Sequence, residues 1–144
     1  MTEFVVGLVF TKDADNLLLI KKKRPAWQLN ALNGIGGHIE EGESPLEAMT
    51  RECREEACLN IIAWENFCQL HGEECRDGKG LWRCYYYRVF TDALWHAKTN
   101  TDERLIITTP HSLPSNCVSN LYWQVPLALD RGIILPVIVE DGKG

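Results

Sequence analysis

No stretch of this sequence is long enough to cross a bilayer, which takes about 20 consecutive apolar residues. The longest apolar runs, 4–10 and 133–139, fall far short. The N-terminus, Met1-Thr2-Glu3-Phe4, lacks the basic and then apolar layout of a secretory signal. Nor is there an excess of positive charge: Lys and Arg number 15 against 20 Asp and Glu, a net charge of −5. Polymeric nucleic acid is therefore not the expected partner, because its binders carry a basic stripe or patch. A single nucleotide stays within reach, since a bound cation can neutralise its phosphates. The six cysteines show no Cys-x-x-Cys spacing. Without a secretory signal they read as small buried residues in a reducing cytoplasm. His71 and Cys75 stand four apart, as two metal ligands can, but nothing in the sequence completes such a site.

What is present suits one globular domain spanning 1–144, with 45% apolar and 24% charged residues. Residues 4–10 predict a strand buried on both faces, and 17–20 a second strand that runs into Lys21-Lys22-Lys23-Arg24. Asn33-Gly34-Ile35-Gly36-Gly37 reads as a Gly-rich turn. Strands are expected at 61–70, 81–90 and 104–109, with a turn at Asp77-Gly78. A helix is expected at 119–130, with Pro126 as a candidate kink. The strongest helix covers 44–59. Ser44 is its cap, Pro45 suits its first position, and Glu47 completes a capping box. Leu46, Met49, Cys53 and Ala57 then form a stripe that faces a sheet. Strands mixed with two helices point to an α/β layered fold.

The same helix carries Arg51, Glu52, Glu55 and Glu56. Glu52 shares a face with Glu55 and Glu56, three and four residues on, at the margin of the apolar stripe. Such a face is either solvated or the hard-oxygen site of a divalent cation, which turns mutual repulsion into binding. Metal-assisted hydrolysis of a phosphoanhydride needs that arrangement, with one carboxylate free to take the proton of the attacking water.

Spacing decides between the two. Gly37, Glu43, Arg51, Glu52, Glu55 and Glu56 fall in the register of the Nudix box, G-x5-E-x7-R-E-U-x-E-E-x-G-U, where U is apolar. Six fixed positions would coincide by chance on the order of once in ten million starting points. Cys53 and Leu59 fill apolar positions, and Cys58 stands where the pattern has Gly. The segment 37–59 thus resembles the catalytic segment of the Nudix hydrolases.

The resemblance implies an α/β/α sandwich around a mixed sheet and a Mg²⁺-dependent pyrophosphohydrolase, with Mn²⁺ as a substitute. It implies metal ligation by Glu52, Glu55, Glu56 and the Gly36 carbonyl, with Glu52 or Glu55 close to the attacking water. It implies an Arg51–Glu43 pair that orients the helix against its loop. Glu103 occupies the place of a further acidic ligand, with a solvated loop carboxylate as the alternative. The stretches around Asn33, Thr101-Asp102-Glu103 and Tyr122-Trp123 are similar to MutT-like nucleoside triphosphatases. That similarity makes Asn33 a reader of the base edge or a turn former, and Trp123 a stacking surface or a core residue. Members that read an oxidised purine carry an acidic pair before Tyr-Trp; here Ser119 and Asn120 stand there, and Asn120 stays a candidate base contact. The expected substrate is a nucleoside triphosphate, a modified or oxidised purine nucleotide among the candidates. The alternatives are a nucleotide sugar, a dinucleoside polyphosphate, or a weakly catalytic nucleotide-binding module. A homodimer is compatible with the family's habits.

Overall fold

The N-terminal apolar run becomes the central strand of the computed structural model, which describes residues 1–73 and 80–141. This strand, β1 (Thr2–Phe10), is bonded along both edges. One edge lies parallel to β6 (Trp82–Phe90) over its whole length. The other is divided. Val9 and Phe10 pair with β2 (Leu17–Lys21), while Phe4 to Gly7 pair with β4 (Ile35–His38), both antiparallel. Alternate side chains of a strand enclosed in this way must serve two cores. Val5 and Val9 enter one; Val6, Leu8 and Phe10 enter the other.

Each core is closed by a helix. Helix α1 (Pro45–Ala57) covers the first with Ala48, Met49, Cys53 and Ala57. Helix α2 (Leu121–Leu129) covers the second with Leu121, Val125 and Ala128. The sheet is completed by β3 (Leu32–Asn33) and β7 (Arg104–Thr108), both on β2, and by β5 (Glu65–Gly72) and β8 (Val137–Asp141) beyond β6. The pairs β1–β6 and β5–β8 are parallel and the other pairs antiparallel, so the sheet of eight strands is mixed. The architecture is the expected α/β/α sandwich.

Several local expectations need correction. Residues 33–37 are strand on either side of Gly34 rather than a turn, and their glycines allow β4 to lie hard against β1. A Cβ on Gly34 would come 2.7 Å from the Gly7 carbonyl oxygen. The strand expected from residue 61 starts only at Glu65; before it, the Trp64 indole donates to the Ile61 carbonyl at 3.0 Å and closes a local turn. Leu46, in the first turn of α1, is 43% exposed, and Ala48 takes the inner position. Strand β8 is an addition to the expected elements: it takes up only the end of the apolar run 133–139, beyond Pro136. Helix α2 continues through Pro126. Cys75 and the Asp77-Gly78 turn lie outside the described residues.

Candidate active site

The chain reaches the site through β4 and leaves it through α1. Ser44 accepts a hydrogen bond from the Glu47 amide, and the Glu47 side chain accepts one from the Ser44 amide, each at 3.1 Å. This capping box holds the start of α1 and sets the rotation of everything that follows. At 3.6 residues per turn, Glu55, Glu52 and Glu56 stand roughly 60° and then 40° further round the helix toward the sheet. Their exposure follows that order. The Glu55 side chain is 55% exposed and that of Glu52 13%, whereas Glu56 as a whole is 9% exposed.

Two glycines make room for these acids. A Cβ on Gly37 would lie 2.6 Å from Glu52 Oε1, so the carboxylate occupies the space a side chain would fill. Gly36 turns its amide to Glu56 Oε2 at 3.3 Å. In an extended strand the N–H and C=O of one residue face the same edge, so the Gly36 carbonyl looks toward the same corner. Burial and the neighbouring Glu52 push the Glu56 carboxyl up to about 8; Lys22 and the Gly36 amide act in the opposite direction. Glu52 and Glu56 thus form a carboxylate pair at the edge of the core, with Lys22 the positive charge that acts on its inner member.

Arg51 gathers the outer acids. Its Nε donates to Glu43 Oε2 at 2.6 Å and its Nη2 to Glu43 Oε1 at 3.0 Å, a two-pronged bond. Its Nη1 reaches Glu52 at 2.9 Å and Glu55 at 3.2 Å, and its Nη2 reaches the His38 carbonyl at 3.1 Å. The bond from Arg51 holds the Glu43 carboxyl below its ordinary range. The guanidinium in turn stays charged, most of all through Glu43. The expected Arg51–Glu43 pair is present, and Arg51 extends beyond it into the acidic face.

The predicted ligand set is only partly assembled. Among the described residues no three His, Cys, Asp or Glu side chains form a ready-made metal cage. Glu52 and Glu56 adjoin, but Glu55 is drawn outward to Arg51. Glu103, 4% exposed, accepts from the Lys23 amide at 2.5 Å and from Lys22 Nζ at 3.3 Å. It is therefore a buried, paired carboxylate and not a solvated one. Its partner Lys22, which the sequence offers only as one of four basic residues at a strand end, is the addition to the site. Its side chain is 13% exposed, pairs with Glu103, and its charge acts on Glu56. Strand alternation was the available signal, since Lys22 continues the face of Leu18 and Ile20 toward the α1 side.

The candidate base contacts lie elsewhere. Asn33 donates to Gln28 Oε1 at 3.0 Å and accepts from the Gly34 amide at 2.8 Å, so both ends of its amide are engaged locally. Asn120 precedes α2 and bonds the Tyr86 hydroxyl, which burial makes a weaker acid. Trp123 is 40% exposed, not part of the core. Among the described residues no hydrogen bond joins Asn33 to Asn120 or Trp123.

The donors fit a hard divalent cation in kind: carboxylate oxygens compressed against one another beside a carbonyl edge. Comparison with known proteins places the arrangement. No curated protein matches the sequence. Among solved structures, the MutT NUDIX hydrolase from Burkholderia pseudomallei superposes with a TM-score of 0.72 at 16% identity, covering 88% of this chain and 96% of that one. The NUDIX domain of Shewanella oneidensis NrtR, solved with ADP ribose, gives 0.69 at 16% identity, covering 88% and 84%. A MutT/nudix family protein from Enterococcus faecalis gives 0.60 at 21% identity; it covers 75% of this chain, which spans only 43% of that protein. These likenesses are of fold. The sequence pattern of the NUDIX domain matches residues 1–112, which takes in the central strand, the glycine edge and the whole acidic helix, so the chain belongs to the NUDIX family of pyrophosphohydrolases.

Proposed function

We propose that the protein hydrolyses a nucleoside triphosphate to a monophosphate and pyrophosphate, with Mg²⁺ as its cofactor and Mn²⁺ as a substitute. The observation that carries this reading is the Glu52–Glu56 pair, laid against Gly36 and Gly37 at a cost in repulsion that a divalent cation would relieve. Glu52, Glu55, Glu56 and the Gly36 carbonyl would hold the ion, and Glu103 is the further candidate beside Lys22. When bound, the ion supplies Lewis acidity and neutralises phosphate charge.

The chain's own residues do the rest. Glu52 or Glu55 takes the proton of the attacking water at a carboxylate oxygen. Arg51, fastened to Glu43 and the His38 carbonyl, fixes the direction of both acids without touching substrate. Trp123 offers an exposed indole for stacking on a base, and Asn120 an amide for its edge. Asn33 reads the base by exchanging its Gln28 partner. The two cores share one sheet, which supports reading 1–144 as a single domain. The described cysteines, 53, 58, 68, 84 and 117, are all free, as suits a reducing cytoplasm.

A second reading draws on the NrtR domain bound to ADP ribose: a nucleoside diphosphate linked to a group other than phosphate. One panel separates the two. Phosphate and pyrophosphate release is followed with Mg²⁺ over canonical, oxidised and methylated nucleotides, nucleotide sugars, ADP ribose and dinucleoside polyphosphates. Highest kcat/KM on a triphosphate, lost in Glu52→Gln and Glu55→Gln, is the expected result. Binding of one compound with turnover of none would overturn the hydrolase reading.

A further inference from the structure

The run Lys21-Lys22-Lys23-Arg24 puts four positive charges at the end of β2, and the structure pairs three of them. Lys22 meets Glu103, while Lys23 and Arg24 meet Asp102. Lys21 is left over. Alternation along the strand turns it away from Lys22, to the face of Leu17 and Leu19. There it stands directly opposite Arg104 of β7. Among the described residues neither Lys21 nor Arg104 makes an ion pair or a side-chain hydrogen bond.

Like charges facing one another across a ladder are destabilising. The neighbouring acids, Asp102 and Glu103, are already taken. Nor is this corner the by-product of a generally basic chain, whose net charge is −5. Beside the pair lies a cavity of about 130 Å³ lined by Lys21, Lys22, Lys23, Asn30 and Arg104. That is room for roughly four water molecules. It is well below the about 300 Å³ at which pockets begin to bury a whole small-molecule ligand. Its frame is fixed by the backbone: the Lys22 amide donates to Ala31, and the Asn30 amide to Lys22, each at 2.8 Å.

We propose that this cleft is an anion subsite for a single phosphate group, gripped by Lys21 and Arg104 on the face of β2 opposite the Glu56 side. A guanidinium offers a planar fork and an ammonium a point charge, the combination that suits a tetrahedral dianion. The phosphate is either a phosphomonoester carried by the nucleotide away from its anhydride, or free inorganic phosphate. The site requires no divalent cation and stands independently of the reading given above for the acidic helix.

The test titrates inorganic phosphate into the full chain in EDTA at constant ionic strength, followed by calorimetry and backbone amide shifts. Saturable one-to-one binding is expected, with shifts centred on Lys21, Asn30 and Arg104. Affinity should fall at least tenfold in Lys21→Gln and in Arg104→Gln and be largely kept in Arg104→Lys. Arg104 is exposed and Lys21 half-buried at the strand end, and thermal melts check that both Gln variants fold. Shifts that do not saturate, shifts centred on Glu52 and Glu56, or unchanged affinity in the variants would overturn the proposal. A second arm compares two substrates that differ only in a 3′-phosphate. A rise in KM confined to the phosphorylated one in Arg104→Gln assigns the subsite to substrate; equal KM values, with phosphate binding lost, assign it to the free anion. Absence of turnover would count against the enzymatic reading and leave the binding result standing.

Discussion

Glu56 ties the stability of this protein to the chemistry of its site. Its carboxyl is pushed up to about 8, first by burial and then by Glu52, from an ordinary 4.5. The native state therefore holds a proton that the unfolded chain has released, between pH 4.5 and 8. Where the native state binds more protons, stability falls as pH rises, so the metal-free protein loses stability across that window and no further above it. A gap of that size corresponds to an upper bound of about 5 kcal/mol. Water reaching the site and relaxation around it leave about 2–3 kcal/mol as the expected loss. Urea denaturation in EDTA at pH 5, 6, 7 and 8 measures it, with Glu56→Gln as the reference. Gln keeps an acceptor for the Gly36 amide and offers Glu52 a donor, so it removes the titration and little else. The difference between wild type and variant should grow with pH in favour of the variant. At pH 7.5 a saturating divalent cation should stabilise the wild type, by about 2.7 kcal/mol at a hundred times its Kd, and the variant far less. A wild type and a variant with parallel pH profiles would refute the account of the buried pair.

Three further outcomes follow from the same geometry. Cys58 ends α1 in the left-handed region at φ 56, exposed and free, so Cys58→Gly should stabilise by about 1 kcal/mol. That is roughly 2–4 °C in Tm, with kcat/KM unchanged; a lower Tm would show that the thiol has a packing role. Arg51→Ala strands Glu43, Glu52 and Glu55 together, and should cost about 3 kcal/mol in urea melts as well as lowering kcat. Gly37→Ala places a methyl against the Glu52 carboxylate and should lower activity by about 10–100-fold while shifting the urea midpoint little. Activity within twofold of wild type would show that the Glu52 carboxylate yields to the methyl and that this packing does not set the rate.

Much of the site was legible in the sequence because it is local. The capping box, the helix rotation and the Glu52, Glu55 and Glu56 face all follow from spacings under one or two turns, and the Arg51–Glu43 pair spans only eight residues. Cys58 is instructive in the same way. The pattern called for Gly at that position, and the backbone there adopts the conformation that Gly accepts without strain, so the departure costs stability at the helix exit and leaves the acids in place.

What lay beyond reach was non-local. The sequence by itself determined an acidic, capped helix with a stripe for a sheet, and a central strand enclosed on both sides. It could not reveal that Ile35 to Gly37 of the Gly-rich stretch are strand, because turn and tight strand use the same residues and only the approach of β1 separates them. It could not place Glu103 on Lys22 and the Lys23 amide, about 80 positions apart, or set Lys21 against Arg104. Nor could it rank the three glutamates by burial. The tertiary structure decided these, since burial and long-range pairing depend on which surfaces meet, and no spacing along the chain encodes that.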